Sequence, residues 1–72
     1  MLKTRQALRA ELNSVLDTIS GTECVSTIYT SNMTIVLESL KTEFKHRFRI
    51  GTDYQSYVTI LLDDEPFVIY RK

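Results

Sequence analysis

The chain is poor in the residues that usually announce a chemistry. It has one cysteine, one histidine, one proline, two glycines and no tryptophan in 72 residues. A lone Cys24 forms no internal disulfide, which removes the usual reinforcement of a small secreted domain and points to a reducing cytoplasm. One Cys and one His do not make a zinc site, so no metal and no cofactor is expected. Two glycines leave no Gly-rich loop to cradle phosphates. No apolar run approaches the ~18 residues of a membrane span. The N-terminus reads as an amphipathic helix with acidic residues inside it, so neither a signal peptide nor a transit peptide is expected. Charge of one sign is missing too: nine Lys and Arg balance nine Asp and Glu, so bulk polarity selects no partner.

What remains fits a globular protein. Apolar residues make up 43% of the chain and charged residues 25%, values that argue against disorder. A chain of this length buries only about 60% of the surface its unfolded form exposes, so a single domain over 1–72 with marginal stability is expected. The fold class expected is α+β: an N-terminal amphipathic helix packed on a small antiparallel β-sheet. Leu8, Leu12, Val15, Leu16 and Ile19 recur at the ~3.6-residue period from about residue 4 to 20, and Ser20-Gly21 supplies a stop. Glu23 to Thr30 is rich in β-branched residues and reads as one strand, with Val25, Thr27 and Tyr29 on one side.

Residues 33–50 support two readings. Read as a helix, Met33, Val36, Leu37, Leu40, Phe44 and Phe48 form a stripe that Ser31 or Asn32 caps, which gives a helix over about 33–45 and a strand over about 46–50. As strands, Phe44, His46, Phe48 and Ile50 alternate with Lys45, Arg47 and Arg49, giving one helix plus a five-strand meander. The lack of Gly, Pro, Asn and Asp between 33 and 50 favours the helix, although Thr34-Ile35-Val36 form helix poorly and Ile35 would face solvent. Gly51-Thr52-Asp53 reads as a turn, Tyr57 to Leu62 as an interior strand, Asp63 to Pro66 as a second turn and Phe67 to Tyr70 as the closing strand.

No nucleophile sits beside a base, so no catalytic residues are assigned and an enzyme is not expected. Asp63-Asp64-Glu65 lacks the spaced ligands of a calcium loop and reads as a solvated turn. The charges cluster along the chain: Lys3, Arg5, Arg9; then Lys41, Lys45, Arg47, Arg49; then Arg71, Lys72, with acids mostly between, which suggests a dipolar molecule. Arg5 falls on the line of Leu12 and Leu16, either snorkelling or reserved for a partner.

Two functions follow. The first is a non-enzymatic protein-interaction module, an adaptor, regulator or inhibitor of the kind found among viral and mobile-element accessory proteins. It docks through a sheet face bearing Tyr57 and Tyr70, since a hairpin of residues 57–62 and 66–71 is apolar on both faces and one helix covers only one. A homodimer would satisfy the same surplus. The alternative is nucleic-acid binding through Lys41, Lys45, Arg47 and Arg49, extended by Arg5 and Arg9, which zero net charge disfavours. Replacing Leu12 by alanine is expected to lower stability by roughly 2–5 kcal/mol in a urea titration. A loss near zero would remove this face from the core.

Overall fold

The computed structural model describes residues 4–72, so Lys3 of the first basic group lies outside the described residues. The α+β expectation holds. Helix α1 spans Arg5–Leu16 and strands β1 and β2 span Thr22–Cys24 and Ile28–Thr30. Helix α2 (Met33–Phe44) runs through a 3-10 turn (Lys45–Arg47) into β3 (Phe48–Asp53), β4 (Tyr57–Leu62) and β5 (Glu65–Arg71). The five strands are ordered β1-β2-β5-β4-β3. The sheet is mixed rather than wholly antiparallel, because β5 runs parallel to β2 while the other three pairings are antiparallel. The hairpin β4-β5 thus inserts between the two strands that α2 connects, a split β-α-β arrangement.

Both helices lie on one face of this sheet. Leu8, Leu12 and Leu16 of α1 and Met33, Val36, Leu40 and Phe44 of α2 join Ile28, Phe48, Val58, Ile60, Leu62, Phe67 and Ile69 in a single buried core. That burial outweighs the poor propensity of Thr34-Ile35-Val36, and Ile35 does point outward at 54% exposure. The second helix therefore does not cover the second sheet face. It shares the first, and residues 33–50 do not enter a five-strand meander.

Local chemistry moves several boundaries. Thr4 caps α1, its hydroxyl accepting from Ala7 N–H at 3.2 Å. The helix ends at Leu16, not near 20, because Thr18 donates its hydroxyl back to the Val15 carbonyl at 2.7 Å. Gly21 closes the following loop with φ +78°, where an added Cβ would also collide with Ser31 Oγ. The expected strand 23–30 breaks at Val25–Thr27 into two short strands, closed by a Thr22–Thr30 hydroxyl contact of 2.8 Å. Asn32 precedes α2, but its side-chain amide donates to the Ser20 carbonyl rather than capping the helix.

Gly51-Thr52-Asp53 is strand, not turn. Gly51 allows close approach to β4, where a Cβ would sit 2.6 Å from Thr59 Oγ1, and a bulge follows it; the turn proper is 54–56. The β4-β5 turn contains only Asp63 and Asp64, at φ 51° and 65°, the two left-handed positions of a type I′ hairpin. Pro66 already belongs to β5, at a level where short β2 gives that strand no second neighbour.

Lys45 ends α2 at φ 54°, ψ −123°, a conformation suited to glycine. It sits there with an exposed side chain. Lys45→Gly is expected to raise stability by about 1 kcal/mol through relief of this strain. An unchanged or lowered urea midpoint would contradict the strained assignment.

Candidate functional site: a tyrosine row on the open sheet face

Alternation along the strands gives the uncovered face its side chains. Tyr57 stands opposite Tyr70 across β4-β5, and Tyr70 opposite Tyr29 across β5-β2. Ring centroids are 5.5 Å apart in both pairs, and Tyr54, in the β3-β4 turn, stacks on Tyr57 at 4.6 Å. All four tyrosines of the chain therefore stand in one row crossing three strands. Tyr29, Tyr54 and Tyr70 remain 42%, 47% and 36% exposed, and Val68, Thr59 and Leu61 beside the row are only partly covered.

The row is held from below. Tyr54 N–H donates to the Tyr57 carbonyl at 2.8 Å. The Arg71 guanidinium reaches from β5 to the carbonyls of Tyr54 and Gln55 and pairs with Asp53 at 2.9 Å. Rings fixed in this way lose little conformational freedom when a partner covers them. Chemically the row offers aromatic faces with phenolic hydroxyls, the combination that anchors interfaces.

Sequence reasoning names Tyr57 and Tyr70, and these two are brought together. It misses Tyr29 and Tyr54. Alternation with Val25 and Thr27 carried the signal for Tyr29, and Tyr54 sits three residues before Tyr57.

The basic residues go elsewhere. The Arg47 guanidinium forks onto Asp63, Nε to Oδ1 at 2.9 Å and Nη2 to Oδ2 at 2.8 Å, and reaches Glu11 of α1 at 3.1 Å. These hydrogen bonds, Asp63 first and Glu11 second, push the Arg47 pKa still higher than an ordinary arginine. Arg49 pairs with Asp64 at 2.7 Å on the open face, both side chains largely exposed. Arg5 snorkels along the core, its guanidinium 4.2 Å from the Phe67 ring centroid and 3.2 Å from Glu65.

Each acid of Asp63-Asp64-Glu65 thus receives an arginine from a different place; the turn is as expected and Asp64 stays largely exposed, while Asp63 is mostly covered by its ion pair. Arg9 donates to Asn13 and to the Val25 carbonyl at 3.0 Å, tying α1 to the β1-β2 turn. Lys41 stands exposed on α2 and Lys45 just after it. The segment 41–49 therefore presents no single basic stripe, and charges segregated along the chain are largely paired in space.

His46 is exposed in the 3-10 turn. Cys24 is half-buried, and burial, with Asp17 nearby, pushes its thiol pKa up, making it a weaker nucleophile. Among the described residues no three His, Cys, Asp or Glu side chains group to hold a metal ion, and no helix is long and apolar enough to cross a membrane.

Asp63→Asn keeps a residue that accepts the left-handed turn and removes the charge facing Arg47. With these side chains under one-third exposed, it is expected to cost about 1–2 kcal/mol in urea, and less in 1 M salt, roughly a 3 Å screening length. A salt-independent loss would mean that the turn, not the ion pair, is affected. The chain matches no protein-family model, no curated protein and no solved structure.

Proposed function

We propose that this protein is a non-enzymatic interaction module that works in the reducing cytoplasm by docking its open sheet face onto a protein, as an adaptor, regulator or inhibitor. The observation that carries this reading is the tyrosine row. Exposed tyrosines are ordinarily scattered, whereas here every one is gathered on the face the helices leave bare. Tyr54, Tyr57 and Tyr70 supply rigid amphipathic anchors, with Val68 and Leu61 as the apolar floor.

Electrostatics favours a protein over nucleic acid as the occupant. Stacked aromatics also suit bases, but such binders surround them with cations free to meet phosphates. On this face Arg49 already meets Asp64, and Lys72 meets Glu23 at 2.9 Å. Lys41 and Lys45 belong to the helix layer on the other side.

A photo-crosslinking amino acid placed at Tyr70, with Glu38 on the exposed side of α2 as the control position, tests the proposal in cells. Discrete protein adducts from position 70, absent from position 38 and unaffected by nuclease, are expected. Adducts that disappear with nuclease, or that form equally from both positions, would overturn it.

A further inference from the structure

We infer that the occupant of the tyrosine face at high concentration is a second copy of this chain, paired face to face about a two-fold axis that runs across the strands. This rests on the docking reading and names one partner for that face.

The face has a relief that complements itself. The pleat lays the open-face side chains in rows two residues apart along the strands, or ~7 Å. One row is the tall tyrosine ridge. The next holds Thr59 and Val68, beside Gly51, which has no side chain. The third holds Arg49, Leu61 and Pro66. Ridge and low shelf therefore lie side by side on one surface. A two-fold axis along the middle row sets the two low middle rows against each other and lays each ridge on the other copy's third row, Arg49, Leu61 and Pro66, the isologous arrangement in which one patch is its own complement. An axis along the strands instead sets ridge against ridge and leaves both shelves empty.

Charge agrees. The face is bordered by Glu23 with Lys72 at one corner and Arg49 with Asp64 at the opposite one, so the pairing confronts no uncompensated like charges. The same rotation carries Arg49 towards the second copy's Tyr54, a guanidinium against an aromatic ring.

Area sets the strength. At ~200 Å² per tyrosine, the exposed fractions of Tyr29, Tyr54 and Tyr70 offer roughly 250 Å². The rings alone bury about 500 Å² in a pair and the partly exposed shelf adds to this, which places the contact among small, transient interfaces. Such a pair forms reversibly and opens on dilution, freeing the face for a different protein.

Sedimentation equilibrium across two decades of concentration around ~100 μM tests this. The mass is expected to rise from 8.4 kDa towards twice that value. Val68→Asp, and Tyr54→Ala in the exposed turn should the first variant fold poorly, are expected to weaken association at least tenfold. Glu38→Lys on α2 should leave it unchanged. In a Cys24→Ser background, a mixture of Tyr54→Cys and Arg49→Cys chains is expected to form the mixed disulfide in preference to either self-pair. A monomer at every concentration, a dimer indifferent to Val68→Asp and Tyr54→Ala, or preferred self-coupling of Tyr54→Cys would overturn the pairing. Heterologous adducts from position 70 in a strictly monomeric protein would leave docking standing without self-association. Absence of both would remove the docking reading as well.

Discussion

Two amphipathic helices share one side of a five-stranded sheet, and this one-sided cover governs the rest of the molecule. Each helix has a single apolar stripe, and the stripes converge on the strand residues of one parity, leaving the other parity to whatever the sequence places there. Among the described residues no further element closes the second side. The residues placed there are not uniformly the polar ones that a permanently wet face would carry. At its centre they are tyrosine, valine, leucine and proline, with Thr59 among them and the Arg49–Asp64 and Lys72–Glu23 pairs at the border; the rings are stacked and the turn that bears Tyr54 is fastened by Arg71.

The ionic groups serve this architecture. The β4-β5 turn and the first residue of β5 project three carboxylates, and arginines from the 3-10 turn, from β3 and from α1 converge on them. Arg47 matters most, because it joins α1, the end of α2 and the hairpin through one guanidinium that also lies 5.4 Å from the Phe44 ring. The strongly exposed Arg49–Asp64 pair contributes at most about 1 kcal/mol. Its importance is to the surface potential of the open face, which it keeps near neutral.

Elements specified by burial were legible in the sequence, and those specified by backbone detail were not. The stripes Leu8-Leu12-Leu16 and Val36-Leu40-Phe44 announce their helices because the period of apolar residues is the cause of the fold there. The end of α2 was legible to within a residue, although Lys45 occupies a position where glycine would have marked the boundary. Gly51 misled in the opposite direction, since its missing Cβ answers the closeness of Thr59 rather than a turn. Parallel pairing of β2 with β5 depends on contacts between residues some 40 positions apart, which no local pattern encodes. Tyr57 and Tyr70 followed from hairpin alternation, whereas the full row needed the strand order. The basic segment 41–49 looked like a surface because its partners, Glu11 and Asp63, are remote or out of phase in the sequence.

The central claim is that the tyrosine face is left bare by its own chain and becomes covered by docking. Because the chain has no tryptophan, its intrinsic fluorescence comes from these four tyrosines alone. Acrylamide quenching of that fluorescence, in dilute protein and again in a saturated complex with a crosslink-identified partner or with itself, reads the claim directly. The account predicts efficient quenching in the dilute protein and at least twofold protection in the complex. Tyrosines already shielded at high dilution, or quenched equally when bound, would contradict it.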